Sequence, residues 1–91
     1  MADVTIYTRT YCPYSRRAKE ILRTKGIEFH EIDIERDPSR EAEMLERAAG
    51  RDTVPEIFIE GRHIGGCDEL EMLEAEGKLD EMLEGGAATP L

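Results

Sequence analysis

The residue of this chain best suited to chemistry is Cys12, the first residue of the sequence CPYS. Proline is favoured in the first turn of a helix, so Pro13 predicts that Cys12 lies at a helix N-terminus. Free N–H groups and the helix dipole stabilise a thiolate there, and the thiolate is the nucleophilic form of cysteine. Positive charge close by in sequence comes from Arg9, Arg16 and Arg17. The pattern indicates a reactive thiol, and the alternative is a buried cysteine that packs as a small apolar side chain.

Ser15 stands where a two-cysteine redox site would have its second thiol, three residues after Cys12. A serine cannot resolve a mixed disulfide, so the motif predicts chemistry that uses one protein thiol. The Ser15 hydroxyl could donate a hydrogen bond to the Cys12 thiolate, or it could bond locally at the helix start. The chain has one other cysteine, Cys67, far away in sequence, and this pair does not predict a disulfide framework.

Short strands and helices alternate along the chain. Alternating β-branched and aromatic residues predict four strands, at residues 4–7, 27–34, 57–59 and 62–64. The first β-α-β unit predicts a parallel pair of strands, whereas the short connection between the last two strands requires an antiparallel hairpin. The order β-α-β-α-β-β-α therefore predicts an α/β fold, a small four-stranded mixed sheet with helices on both faces.

Three helices are predicted from their start and stop residues. The first runs from Pro13 to before Gly26, and the second begins at Asp37-Pro38 and ends at Gly50. The second helix is predicted to bury Leu45, Ala48 and Ala49. The last helical stretch follows Asp68, which with Glu71 has the spacing of a capping box. Its predicted buried residues are Leu70, Leu73, Leu79 and Leu83.

Length and charge restrict the class of protein. A chain of 91 residues predicts one domain, residues 1–84, followed by a flexible C-terminal tail, residues 85–91. A net charge of −9 argues against a general nucleic-acid binder. No apolar run approaches the roughly 20 residues that span a bilayer, and no signal peptide is evident, so a cytoplasmic location is predicted. His30 and His63 lack zinc-ligand spacing with the cysteines, and no metal site is predicted.

Three motifs together resemble the glutaredoxin family. CPYS is similar to the family's usual active site, Cys-Pro-Tyr-Cys, while Thr53-Val54-Pro55 and Gly65-Gly66-Cys67-Asp68 match two further family motifs in order and spacing. The likeness runs from about residue 4 to residue 83. It implies a thioredoxin-like fold and a glutathione-dependent thiol–disulfide oxidoreductase in which Cys12 is the nucleophile. Glutathione would be a co-substrate, and no tightly bound cofactor is expected.

The resemblance also implies a glutathione site. The Val54 backbone would pair with the cysteinyl part of glutathione beside a cis Pro55, and Cys67 and Asp68 would bind the γ-glutamyl end. The Cys67 thiol is interpreted as passive, with a second resolving thiol as the alternative. The glycyl carboxylate would pair with Arg9, or instead with Arg40 or Arg51. The residues implied to bind glutathione are Arg9, Tyr14, Thr53, Val54, Pro55, Gly66, Cys67 and Asp68.

Ser15 narrows the function to reduction of glutathione mixed disulfides by a monothiol route. It is either natural or a replacement of the second cysteine of a dithiol site. The alternative function is a homodimer that holds a [2Fe–2S] cluster with Cys12 and glutathione from each half. A thiol-binding module without turnover is a third class. The expected partners are glutathione and glutathionylated or disulfide-containing proteins, without nucleic acid or membrane, and a monomer is expected.

Overall fold

A computed structural model describes residues 3–83 as a four-stranded sheet with helices on both faces. In chain order, the elements are β1 (Val4–Thr8), α1 (Pro13–Thr24), β2 (His30–Asp33), a 3₁₀ helix (Pro38–Arg40), α2 (Glu41–Arg47), β3 (Glu56–Ile59), β4 (Arg62–Gly65), α3 (Cys67–Ala75) and α4 (Lys78–Leu83). The strand order is β2-β1-β3-β4, with β1 and β2 parallel and the other neighbours antiparallel. The predicted α/β architecture is confirmed.

The sheet separates two apolar clusters because successive side chains of a strand point to opposite faces. On one face, α1, α3 and α4 pack on β1 and β3, and the buried residues there are Val4, Ile6, Ala18, Leu22, Ile57, Ile59, Cys67, Leu70, Leu79 and Leu83. On the other face, α2 covers Tyr7 and Phe58, which meet edge to face. Full burial of a valine, leucine, isoleucine or phenylalanine side chain stabilises the fold by about 1.5–3 kcal/mol. None of the helices within residues 3–83 is long and apolar enough to cross a membrane.

Three predicted boundaries differ from the structure. The second strand is His30–Asp33 rather than residues 27–34, because its pairing with β1 begins at Thr5 and His30 and earlier residues lie beyond the paired end. Ala49 does not continue the buried side of α2: it lies after the helix end, exposed and with φ of 55°. The last helical stretch is two helices, since Gly77 (φ 75°) interrupts it between α3 and α4.

The domain limits predicted from the sequence stay a prediction. The structure describes the chain only as far as α4, which ends at Leu83. The predicted flexible tail, residues 85–91, lies outside the described residues.

Charged side chains attach α2 to the sheet beside the second cluster. The Tyr7 hydroxyl donates a hydrogen bond to Glu43 and accepts one from Arg47 Nη1 at 2.8 Å. The Arg47 guanidinium also lies 4.3 Å from the centre of the Phe58 ring. Arg40 Nε pairs with Glu43 Oε1 at 2.8 Å. The hydrogen bonds from Arg40 and Tyr7 lower the pKa of Glu43 to about 2.

Replacing Glu43 with glutamine is expected to reduce the dependence of stability on acidic pH. The folded-state pKa of Glu43 lies below its unfolded value, so its stabilisation is complete at pH 7 and is lost as pH falls from about 5 to about 2. At pH 7, the substitution should lower the free energy of unfolding by no more than about 1 kcal/mol, because water screens a partly exposed carboxylate. Urea unfolding at pH 7 and pH 3 measures it, with the exposed Glu46→Gln as control. An unchanged pH dependence in Glu43→Gln would contradict the assignment.

Candidate active site

Cys12 is the N-cap residue of α1, with an extended backbone (φ −86°, ψ 119°) and Pro13 as the first helical residue. Its carbonyl accepts the first helical hydrogen bond from the Arg16 N–H at 3.1 Å. The side chain is neither fully buried nor fully exposed, so the sulfur can meet a substrate. The predicted position at a helix N-terminus is confirmed, and the alternative that Cys12 is buried as a small apolar side chain is wrong.

The surroundings of Cys12 favour the thiolate. Burial by itself raises the pKa of Cys12, but the Ser15 hydroxyl and the backbone N–H groups of Ser15 and Tyr14 lower it. The positive charge of Arg9 lowers it further, and the net pKa lies below that of an ordinary cysteine. Arg17 is turned to Glu71, with Nε 2.5 Å from Oε2. A lowered pKa increases the fraction of Cys12 in the thiolate form, which is the reactive form of cysteine.

Ser15 is buried in the first turn of α1, beside Cys12. Within residues 3–83, its Oγ is the buried side-chain oxygen or nitrogen that has no hydrogen-bond partner. In the thiol form, Cys12 Sγ instead donates to the Val54 carbonyl oxygen at 3.8 Å. Loss of the thiol proton turns the sulfur into an acceptor, and the Ser15 hydroxyl can then donate to it. Of the two predicted roles for Ser15, hydrogen bonding to the thiolate agrees with the lowered pKa of Cys12.

A pocket of about 250 Å³ lies next to the Val54 carbonyl that Cys12 contacts. Its lining residues are Tyr14, Arg51, Thr53, Val54, Pro55, Gly66, Cys67, Asp68 and Glu69. The structure thus brings together the three motifs of the sequence, and the Val54–Pro55 peptide bond is cis, as the resemblance implied. Larger cavities of about 470 and 560 Å³ lie elsewhere, and neither is lined by a cysteine.

Of the three arginines considered for a carboxylate ligand, Arg51 is the one that lines the pocket. Arg9 lies outside it and pairs with Glu41, Nη2 to Oε2 at 3.2 Å. Arg40 lines a different cavity and pairs with Glu43. The binding of a glycyl carboxylate by Arg9 stays a prediction; in this structure its guanidinium is turned to Glu41.

Cys67 is the first residue of α3, and its thiol is buried in the core. Burial raises the pKa of Cys67, and a raised pKa disfavours the reactive thiolate. This agrees with a passive thiol whose backbone forms the pocket wall. Asp68, the next residue, is exposed and lines the pocket.

The predicted capping box of Asp68 and Glu71 is wrong. The N-cap of α3 is Gly66, and its N–H donates to Glu69 Oε1 at 2.7 Å. Glu71 lies two residues further along α3 and pairs with Arg17 instead. The capping carboxylate differs because the helix begins one residue before Asp68, which moves the favourable position to Glu69.

One group behind the pocket, the Glu56 carboxylate, was not predicted from the sequence. Glu56 is fully buried at the start of β3 and contacts Arg51, Thr53 and His63. An acidic residue directly after Pro55, at the head of an otherwise apolar strand, was the signal that could have indicated it. His63 of β4 thereby has a hydrogen-bond partner in Glu56. Among residues 3–83, no cluster of His, Cys, Asp or Glu side chains suits a metal ion.

Comparisons with known proteins agree with this geometry. Residues 4–64 match the family model described as Glutaredoxin. The chain is 50% identical over 84 residues to glutaredoxin 3 of Escherichia coli strain K12, which covers 92% of this chain and 100% of the relative.

Solved structures agree as well. The solution structure of glutaredoxin from Brucella melitensis is 55% identical, with a TM-score of 0.81, and the alignment covers 98% of this chain and 96% of that one. The crystal structure of a buckwheat glutaredoxin–glutathione complex is 32% identical, with a TM-score of 0.84 and coverage of 98% and 83%. The thioredoxin-like fold implied by the resemblance is confirmed. Since sequence and structure agree over most of the chain, the protein belongs to the glutaredoxin family and is a glutaredoxin-type oxidoreductase.

Proposed function

We propose that this protein reduces glutathione mixed disulfides by a monothiol mechanism, with Cys12 as its nucleophile. The observation that carries the proposal is the arrangement around Cys12. Its sulfur has a lowered pKa and lies beside the pocket, a serine occupies the place of a resolving cysteine, and the other thiol, Cys67, is buried.

The pocket fits glutathione, a thiol tripeptide with two carboxylates and one ammonium. The N–H groups at the start of α3 can take one carboxylate, and the exposed Asp68 can take the ammonium. The Val54 backbone, close to the sulfur of Cys12, offers strand-like hydrogen bonds to the cysteinyl part. Arg51 can meet the other carboxylate from the pocket wall. This set of groups is what supports glutathione as the co-substrate.

The reaction proceeds in two exchanges. The Cys12 thiolate attacks the glutathione sulfur of a protein–glutathione disulfide, so that one S–S bond forms as the other breaks and the protein leaves as a thiolate. Cys12 is then in disulfide linkage with glutathione. Exchange with the thiolate of a second glutathione frees Cys12 and yields oxidised glutathione. The mixed disulfide is thereby reduced by two electrons, and glutathione is oxidised by two electrons. The lowered pKa of Cys12 favours both its attack and its departure.

The proposed reaction consumes reduced glutathione, which agrees with the cytoplasmic location predicted from the sequence. The competing prediction is a homodimer that shares a [2Fe–2S] cluster. It predicts that a coloured dimer forms after anaerobic addition of iron, sulfide and glutathione. The oxidoreductase described above requires neither iron nor a second chain.

The choice of substrate tests the proposal. The protein is expected to turn over the mixed disulfide of glutathione and cysteine at least about tenfold faster than it reduces an intramolecular protein disulfide, because only the second reaction needs a resolving thiol. Both rates are measured with the same glutathione concentration and a coupled reductase. Equal rates on the two substrates would contradict the monothiol route, and no turnover of the mixed disulfide would contradict the function.

A further inference from the structure

Glu56 is a carboxylate with no exposed surface, and each of its oxygens has a fixed partner. Oε2 accepts a hydrogen bond from Thr53 Oγ1 at 2.8 Å and lies 3.4 Å from Arg51 Nε. Oε1 accepts a hydrogen bond from His63 Nε2 at 2.5 Å. The His63 ring is itself held by stacking on Phe58, with ring centres 5.0 Å apart. Glu56 therefore joins β4 to the segment that precedes the cis peptide bond.

Arg51 extends this connection to the opposite wall of the pocket. Its Nη2 lies 3.6 Å from Glu69 Oε1, the same oxygen that accepts the Gly66 N–H at 2.7 Å. Glu56, Arg51 and Glu69 thus form a charged chain between the Thr53-Val54-Pro55 wall and the start of α3. Arg51, Thr53 and Glu69 line the pocket, whereas Glu56 lies behind it.

We propose that Glu56 is a positioning residue of this pocket: through Thr53 and Arg51 it holds both walls at the separation that binds the glutathione part of a mixed disulfide. The inference rests on the function proposed above. Glu56 acts on binding because it touches the lining residues. The contacts of Glu56 do not include the Cys12 sulfur. That sulfur contacts the Val54 carbonyl oxygen, and Ser15 and Tyr14 of α1 lower its pKa.

Loss of the Glu56 carboxylate should leave the fold intact. Replacing a buried ionic group with an apolar one of similar volume is often nearly neutral for stability, provided that no partner stays buried and unpaired. Thr53 is exposed, and the side chains of Arg51 and His63 are 43% and 27% exposed, so water can reach these partners. What is lost is the fixed position of the pocket wall.

Steady-state kinetics of three variants test the proposal, with the mixed disulfide of glutathione and cysteine as substrate. Glu56→Met keeps the volume and removes both oxygens, and it should raise KM about tenfold while kcat stays within about twofold. Glu56→Gln keeps the shape and one acceptor, and it should raise KM only about threefold. Glu60→Gln is the control, because this exposed residue follows the other end of β3 and should leave both constants unchanged.

The proposal is overturned if the Glu56→Met enzyme has a KM within twofold of the parent, or if kcat falls while KM stays the same. A lower KM would also overturn it, because it would mean that Glu56 keeps Arg51 away from the ligand and weakens binding. Circular dichroism checks the fold. If Glu56→Met does not fold, Glu56→Gln decides, and a parental KM for that variant overturns the proposal. Absence of turnover in the parent is instead a failure of the proposed function.

Discussion

Replacing Cys12 with serine is expected to reduce turnover of a glutathione mixed disulfide by at least about 1,000-fold. A serine hydroxyl does not ionise near neutral pH and does not form a disulfide, so neither exchange step has a substitute. The sulfur is placed for this role by three features of the structure: the N-terminus of α1, the Ser15 hydroxyl and the Val54 carbonyl at the pocket. The coupled assay with glutathione and a reductase measures the loss.

Cys67→Ala is the matched control for Cys12→Ser, because Cys67 is the other cysteine of the chain. It should retain turnover within about twofold, since the Cys67 thiol is buried and its raised pKa disfavours reaction. A loss of about 1 kcal/mol in the free energy of unfolding is expected from the small cavity. If the Cys12→Ser enzyme keeps full activity, Cys12 is not the nucleophile; if Cys67→Ala removes activity, Cys67 is not passive.

Replacing Ser15 with cysteine is expected to give the protein a second activity, reduction of intramolecular protein disulfides, at least about tenfold above the parent. The Ser15 side chain lies in the first turn of α1 beside Cys12, so a thiol at this position can attack a mixed disulfide on Cys12. Serine and cysteine are nearly the same size, so the buried site accommodates the change. The reaction with glutathione mixed disulfides should persist, because it does not need the second thiol.

Ser39→Cys is the control for this gain, since it adds a thiol in the exposed 3₁₀ helix. It should leave protein-disulfide reduction at the level of the parent. If Ser15→Cys produces no more protein-disulfide reduction than Ser39→Cys, the position does not act as the resolving position, and Ser15 does not account for the monothiol route.

The parts of the fold that could be predicted are those that depend on local chemistry. The limits of α1 were predicted from Pro13 at its start and Gly26 after its end, and the structure has the helix between them. Both residues act through their own backbone conformation. The first residue of β2 could not be predicted in this way. His30 begins the strand only because its partner in β1 is Thr5, and pairing partners are set by the whole sheet.

The candidate site shows the same division. The motifs predicted that Cys12, Val54 and Asp68 would serve one site. In the structure Val54 and Asp68 line one pocket, and Cys12 does not line it but contacts the Val54 carbonyl oxygen. Which arginine lines that pocket could not be predicted, because it depends on tertiary packing, which places Glu41 beside Arg9 and Glu56 beside Arg51. The burial of Glu56 could not be predicted either, because its partners Thr53, Arg51 and His63 come together only in the folded chain.

The proposal that Cys12 alone performs the exchange is best tested by the intact mass of the protein after incubation with oxidised glutathione. Peptide mapping then locates the modified residue. One glutathione per chain is expected, attached to Cys12 and removed by reduced glutathione. A stable glutathione adduct on Cys67, or a disulfide between Cys12 and Cys67 with no adduct, would contradict it.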